Sequence, residues 1–320
     1  MIIDVFNHFY PRECLKALPR PLPKMVARIT STMPAMTDLG FRIRQMDKFG
    51  IDVQVLSLGV PTLDNLDVSV RSYPRIIKAS NDGISRLAET SRGRFKAVAT
   101  VSLVNVGEAV EELERSVKDL GLLGAQIPSN VRGKPLDSPE FEPFFARASQ
   151  LGCGIWIHPV HMGKTYDWMN DEYNMNMMLG WGIDSALAMF RIFRAGVLER
   201  HPDLTIVTHH MGTLMPLMAA RINRFVIGQG KNGKAPAPLT KSPFEYMRMF
   251  YVDTAEGAWN PALVLSHGFY GTDHVLFGTD LPWGDTPGII ENIRALSVPD
   301  EEKEMILGGN ARRLFRIGDT

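Results

Sequence analysis

The sequence has few of the features that mark disulfide-rich, nucleic-acid-binding or membrane proteins. It contains two cysteines, Cys14 and Cys153, in 320 residues, which is too few for a disulfide framework. Lys plus Arg number 35 and Asp plus Glu number 35, so no basic excess indicates nucleic acid or an anionic membrane as a partner. No apolar run approaches the roughly 20 residues of a membrane-spanning helix.

Two recognisable sequence signals are also missing. The amino-terminal residues show no basic segment followed by an apolar one, so we expect no signal peptide and a cytoplasmic protein. No GxGxxG or Walker-type run follows an apolar stretch, which argues against a nucleotide-binding open sheet. With 45% hydrophobic residues, the chain can bury a sizeable core, as two ordinary domains or as one barrel-sized domain.

Short apolar runs of strand length recur along the chain, separated by stretches with helical periodicity. Val110, Leu113, Val117 and Leu120, for example, fall at i, i+3, i+7 and i+10, the pattern of an amphipathic helix. Eight such strands alternating with helices predict one (β/α)8 barrel domain over residues 1–320, with a doubly wound open sheet as the alternative. The runs are residues 2–6, 52–57, 95–100, 124–127, 154–159, 204–210, 250–253 and 275–280.

Two segments do not fit a minimal barrel. Residues 12–40 are rich in Pro, Lys, Arg and Met, and they separate the first strand from its helix. Loops that follow barrel strands lie around the pocket at the carboxyl ends of the strands. We therefore expect residues 12–40 to form a cap or small insertion over that pocket. The second segment, residues 228–243, holds Gly, Lys, Pro and Ala with little apolar content, and we expect it to form a mobile loop.

Polar side chains stand at the carboxyl ends of four predicted strands. His8, His158, His210 and Asp280 end strands 1, 5, 6 and 8, and these ends converge in a barrel. Each residue alone has an ordinary structural explanation, such as ending a strand or capping a helix. Together, three imidazoles and a carboxylate suit a divalent ion of the zinc type. His209 precedes His210, and only one of the two can face inward because successive strand side chains alternate.

Several further segments have a characteristic order and spacing through nearly the whole chain: residues 41–47, 50–57, 124–127, 133–137, 157–159, 202–204, 209–212, 274–282 and 310–315. Together they resemble the amidohydrolase superfamily, in the branch that includes aminocarboxymuconate-semialdehyde decarboxylase and resorcylate decarboxylases. The resemblance implies a distorted (β/α)8 barrel and, commonly, homodimers or larger homo-oligomers.

The first strand departs from the family pattern. Members usually carry Asp-x-His-x-His there, with both histidines on the metal, whereas this chain has Asp4-Val5-Phe6-Asn7-His8. Phe6 cannot ligate and adds apolar bulk where the ion would sit. By resemblance the remaining ligands are His8, His158 and Asp280, and three protein ligands plus water still form a legitimate zinc arrangement. We expect zinc, with manganese as the alternative, bound more weakly or in a different geometry.

The resemblance also suggests roles for residues around the ion. His210 matches the histidine that acts as acid and base, and an imidazole pKa near ~6.5 suits that task. His209 is expected to be structural. His161, on the loop after His158, either lines the pocket or is a solvated loop residue.

The resemblance also suggests candidates for substrate binding. Decarboxylases of this branch hold the substrate carboxylate with arginines, one of which can come from the neighbouring subunit. Arg42 or Arg44, and Arg221, fall at corresponding places. Guanidinium pairs a carboxylate in a bidentate way, although each arginine could equally be a solvated charge on a helix face. Four tryptophans could stack on an aromatic or dienoic substrate: Trp156, Trp168, Trp181 and Trp283. Trp283, just after Asp280, is the best candidate for a pocket wall.

Three hypotheses for the function follow. The first is metal-assisted, non-oxidative decarboxylation of a small aromatic or unsaturated carboxylic acid, with Asp280 and His210 managing the proton. The second is a hydrolase or hydratase that uses the same pocket. The third is a metal-free ligand-binding protein in which Phe6 marks lost catalysis; the retention of His8, His158, His210 and Asp280 argues against it.

Overall fold

The computed structural model describes residues 1–59, 63, 66, 68–160, 172–231 and 239–318. It confirms the predicted (β/α)8 barrel: parallel strands follow one another around the barrel in chain order. The strands are β1 (Ile3–Phe9), β2 (Val53–Leu58), β3 (two segments, Phe95–Ala97 and Ala99–Thr100), β4 (Gly124–Pro128), β5 (Gly154–His158), β6 (Thr205–Thr208), β7 (Tyr251–Asp253) and β8 (Val275–Leu276).

Helices cover the outside of the barrel. The amphipathic pattern around Leu113 forms α5, and Asp38 caps α3 by accepting a hydrogen bond from the Phe41 amide. The helices are α1 (Arg12–Ala17), α2 (Lys24–Thr32), α3 (Leu39–Phe49), α4 (Tyr73–Thr90), α5 (Val106–Lys118), α6 (Glu142–Leu151), α7 (Trp181–Arg194), α8 (Val197–Arg200), α9 (Met215–Lys231), α10 (Pro243–Met247), α11 (Asn260–Tyr270), α12 (Thr286–Arg294), α13 (Asp300–Glu304) and α14 (Asn310–Phe315). Among the described residues, no helix is both long and apolar enough to cross a membrane.

The interior of the barrel is a packed apolar layer. Trp156 is its largest member; its indole Nε1 donates to the Val5 carbonyl oxygen at 3.1 Å, and its ring packs 4.8 Å from the Phe315 ring. The rest of the apolar core lies between the strands and the helices. Because strand side chains alternate between the two sides, the interior layer fixes which side chains face the mouth. Its other members include Ile3, Val5, Val53, Val55, Val98, Val207 and Leu276.

Asp4 closes the barrel between β8 and β1. Its side chain is fully buried and accepts hydrogen bonds from the backbone and hydroxyl of Thr279, from Gln54 Nε2 and from the Phe6 amide. Backbone hydrogen bonds complete the junction, including Asp280 N to the Phe6 carbonyl oxygen at 2.8 Å. Burial raises the pKa of Asp4 to about 6, against the effect of these hydrogen bonds.

The segment after β1 packs as a small unit. Cys14 of α1 and Val26 of α2 belong to an apolar cluster that also contains Tyr73 and Ile76 of α4. The segment therefore rests on α4 beside the ends of β1 and β2. Its role as a cap stays a prediction.

Candidate active site

The three predicted metal ligands come together at the carboxyl ends of the strands. His8 Nε2 lies 3.3 Å from Asp280 Oδ1, and the rings of His8 and His158 are 5.3 Å apart between centroids. His8 Nδ1 contacts the Leu58 carbonyl oxygen at 3.2 Å, and His158 Nδ1 contacts that of Pro159 at 2.6 Å. A carbonyl oxygen only accepts, so each Nδ1 donates a hydrogen bond to it and each Nε2 is the nitrogen that faces the site.

Phe6 stands among the histidines. Its ring stacks on His209 at 3.5 Å between centroids and lies within 6 Å of His8, His158 and His210. The side chain is buried, with 1% of its surface exposed. The structure thus confirms that an apolar ring occupies the space between the candidate ligands.

The imidazoles of His8 and His158 and the carboxylate of Asp280 are of the chemical types that bind a divalent ion. Two ligands of a tetrahedral zinc, each at ~2.1 Å, lie about 3.4 Å apart, close to the separation between His8 Nε2 and Asp280 Oδ1. His8 Nε2 is also buried without a hydrogen-bond partner, as expected of a ligand atom. Within the part of the chain that is described, however, no group of three or more His, Cys, Asp or Glu side chains already has the spacing of a metal site.

Of the two adjacent histidines, the structure places His209 facing the barrel interior and His210 in the turn beyond the strand. His209 follows the interior residue Val207 by two positions, so its side chain faces inward, where it is fully buried. His210 lies in the turn after β6 with a left-handed backbone, φ 58°. From there its Nε2 reaches to 3.9 Å from Asp280 Oδ2. Both histidines belong to the site, and His209 is not merely part of the outer packing.

Asp280 is held between two imidazoles. Burial would raise its pKa, but the contacts with His210 and His8 outweigh burial and hold the pKa below its ordinary value. Burial likewise opposes the charged form of His210, yet Asp280 raises the pKa of His210 above its ordinary value. Asp280 itself has a left-handed backbone, φ 54°. Strained conformations at two facing groups are typical of functional sites.

Arg42 is not free to hold a substrate. The guanidinium is fully buried, and all its nitrogens donate within the protein: Nε and Nη2 to the Ala35 carbonyl oxygen, Nη2 also to that of His8, and Nη1 to Asn7 Oδ1 and Gln54 Oε1. These contacts use every donor of the side chain. Arg42 instead supports the backbone of His8.

Of the other residues predicted to bind substrate, Trp283 lies beside His8, whereas Arg44 and Arg221 are exposed on helices. Trp283 contacts the His8 ring edge-on at 5.6 Å and is 37% exposed, as a pocket wall would be. Arg44 is exposed on α3, and Arg221 is exposed on α9, with its guanidinium 5.0 Å from the Phe225 ring. His161, Trp168 and residues 232–238 lie outside the described residues.

Asp253 was not singled out from the sequence, whereas Trp181 is one of the four tryptophans that could stack on a substrate. Asp253 ends β7 and contacts His209, and the rule that selected His158 and Asp280 at strand ends also selects it. Trp181, at the start of α7, contacts the His158 ring edge-on at 5.9 Å, and its indole Nε1 is buried without a partner. Trp181 is distant in sequence from every strand end, so no local pattern indicates its position.

A family model described as amidohydrolase matches residues 3–317. The chain belongs to the amidohydrolase family. A 2-amino-3-carboxymuconate-6-semialdehyde decarboxylase from Dictyostelium discoideum is 31% identical over 279 residues, which cover 86% of this chain and 75% of that protein. The crystal structure of 5-carboxyvanillate decarboxylase from Sphingomonas paucimobilis is 26% identical, covers 99% of both chains and superposes with a TM-score of 0.88.

Another member of the same fold was solved with ligands. A 5-carboxyvanillate decarboxylase variant from Novosphingobium aromaticivorans, with bound manganese and 3-methoxy-4-hydroxy-5-nitrobenzoic acid, is 24% identical and has a TM-score of 0.88. The match covers 99% of this chain and 97% of that one.

Replacement of Arg42 by Met should lower the free energy of unfolding by on the order of 3 kcal/mol, because it leaves buried carbonyl oxygens without donors. The exposed Arg44, two residues away, offers a matched control, and Arg44→Met should change stability by less than about 0.5 kcal/mol. Urea unfolding of both variants measures the difference. Unchanged stability of Arg42→Met, with loss of ligand binding, would favour the original prediction of a substrate anchor.

Proposed function

We propose that the protein is a non-oxidative decarboxylase of a small aromatic or unsaturated carboxylic acid. The observation that carries this proposal is the position of Asp280, with carboxylate oxygens 3.3 Å from His8 Nε2 and 3.9 Å from His210 Nε2 at the mouth of the barrel. The relatives reported above are named as decarboxylases of such acids, which supports the same reaction here.

We propose that His8, His158 and Asp280 hold a divalent ion in this pocket. The neighbour with bound manganese supports a divalent ion, and zinc remains the alternative suited to two imidazoles and one carboxylate. Such an ion supplies a template and a Lewis acid for the substrate carboxylate and a neighbouring oxygen. Carbonyl contacts to His8 Nδ1 and His158 Nδ1 keep both rings in the tautomer that ligates.

The proton for the reaction is assigned to His210 and Asp280. When the carbon–carbon bond to the carboxylate breaks, its electron pair stays on the substrate carbon and CO2 leaves. That carbon then needs one proton from a positioned acid. Asp280 favours the protonated form of His210, which makes the imidazolium the donor and Asp280 its partner.

Aromatic side chains shape the pocket for a flat substrate. Trp283 lies edge-on to His8 at one side, and the buried Phe6 ring lies between the histidines. The partly exposed Trp283 offers a face on which a planar substrate ring can stack. The Phe6 ring is already stacked on His209 and contributes apolar packing instead.

The proposal predicts that Asp280→Asn will lower CO2 release by at least about 100-fold, because the variant loses the carboxylate that supports the acid. A screen of hydroxybenzoates and muconate-like acids for CO2 release first identifies a substrate. Asp300→Asn is the control, since that side chain is 90% exposed on α13. Full activity of Asp280→Asn with the substrate would contradict the mechanism, and hydrolysis of amides or lactones without CO2 release would favour the alternative reaction.

Protein purified without added metal should contain close to one equivalent of manganese or zinc, and His158→Ala should lose most of it. Elemental analysis measures both. The control His201→Ala removes a histidine just before β6, at the opposite end of the barrel. Less than a tenth of an equivalent in the parent, unchanged by His158→Ala and not restored by added metal, would refute the proposed site.

We also propose that the chain forms a homodimer through an exposed face of α9. Leu217, Met218 and Phe225 leave 67%, 38% and 51% of their surface exposed on one stripe of α9, and Arg221 lies in the same stripe. Leu214, just before the helix, is 39% exposed. Arg221 is a candidate to hold a substrate carboxylate in the pocket of the partner subunit, because the resemblance places an arginine from the neighbouring subunit there.

Leu217→Asp should convert the dimer to a monomer, since it places a charge in an apolar interface. Light scattering after gel filtration measures the mass. Leu265→Asp on α11, which alters another exposed leucine (46% exposed), should leave the mass unchanged. A parent protein that is monomeric at micromolar concentration would contradict the proposal.

A further inference from the structure

A buried carboxylate outside the site ties the loop after β5 to α7. Asp184, in the first turn of α7, is 6% exposed and accepts hydrogen bonds from the Val160 amide at 3.2 Å and from the Ser129 hydroxyl. Ser129 Oγ in turn accepts from the same Val160 amide at 3.1 Å. The other carboxylate oxygen of Asp184 accepts from Asn130 Nδ2 at 3.0 Å. Asp184 thus joins α7 to the segments that follow β4 and β5.

The amide that Asp184 holds belongs to the peptide that holds the ring of His158. This peptide joins Pro159 to Val160, and its carbonyl oxygen accepts a hydrogen bond from His158 Nδ1 at 2.6 Å. The contacts form a chain, in which the carboxylate accepts from the N–H of the peptide and the C=O of the same peptide accepts from the ring. Hydrogen bonds in a chain polarise one another, so the carboxylate strengthens the contact at Nδ1.

The backbone of His158 is fixed by the same group of residues. Its carbonyl oxygen accepts from the Ser129 amide at 2.9 Å. Ser129 therefore contacts the two peptides on either side of Pro159, one through its amide and the other through its hydroxyl. Both the ring and the backbone of His158 are held from outside β5, and the Asp184 carboxylate anchors the network.

We propose that Asp184 is a positioning residue for the divalent ion: through the Pro159–Val160 peptide it orients the ring of His158 and directs Nε2 at the ion. The inference rests on the proposed function, since it assumes that His158 is a ligand. Ligating histidines generally donate from the second ring nitrogen to an acceptor, and loss of such a partner typically lowers metal affinity about 10- to 100-fold. Here the acceptor is a peptide oxygen, and the supporting carboxylate lies on the far side of that peptide.

Asn130 offers a matched rescue for the test. In Asp184→Asn the charge is lost, and either the Val160 amide or Asn130 Nδ2 then faces an NH2 group, donor against donor. Asn130 cannot simply turn over, because its Oδ1 accepts from the Gly133 amide at 2.7 Å. The double variant Asp184→Asn/Asn130→Asp exchanges amide and carboxylate. The amide at position 184 then accepts from Val160 and donates to position 130, which keeps its contact with Gly133.

Calorimetric titration of the full-length, metal-free protein with Mn²⁺ or Zn²⁺ measures the affinity. Asp184→Asn should bind the ion about tenfold more weakly than the parent, and the double variant should recover most of the loss. Asp137→Asn is the control, because Asp137 joins the same segment after β4 to α7, through Arg191 at 2.6 and 2.9 Å, without touching the loop after β5. Its affinity should change by less than about twofold.

Thermal unfolding of the metal-free variants separates positioning from packing. A lower melting temperature of Asp184→Asn with unchanged affinity overturns this inference alone, as does an equal loss of affinity in Asp137→Asn or no recovery in the double variant. If Asp184→Asn does not fold, Ser129→Ala decides: it removes the hydroxyl between Val160 and Asp184, and it should weaken binding about threefold or more. Unchanged affinity there overturns the inference. A parent that binds neither ion overturns the proposed metal site as well.

Discussion

The closure of the barrel between its last and first strands is the constraint on which the site depends. Asp4 accepts hydrogen bonds from both Thr279 and Gln54, and thereby ties β1 to β2 and to the segment after β8. His8 and Asp280 lie just beyond this junction, on opposite sides of it. Because one buried carboxylate fixes both backbones, the 3.3 Å approach of His8 to Asp280 is a property of the barrel and not of flexible loops.

The fold and much of the site can be predicted from the sequence because apolar runs of strand length alternate regularly with helical patterns. The ends of parallel strands meet in a barrel, so polar residues that end apolar runs must converge. This rule brought His8, His158 and Asp280 together correctly. Its full application would also have included Asp253, which ends the seventh run in the same way.

Other features depend on packing that no local pattern contains. The residues before His209, Thr205-Ile206-Val207-Thr208, are apolar or small on both faces, so the inward side cannot be read from alternation. Arg42 has the appearance of a solvated charge, yet it shares a helical face with the fully buried Met46, four residues on. Only the folded segment before α3 supplies the carbonyl oxygen of Ala35 that accepts from its guanidinium.

Arg42 also has a mechanical consequence. Its guanidinium joins the turn at Ala35 to the peptide of His8, across the 26 residues of chain between them. A displacement of that turn would also displace the peptide of His8, a candidate metal ligand. The segment after β1 and the first strand are therefore coupled mechanically through one buried side chain.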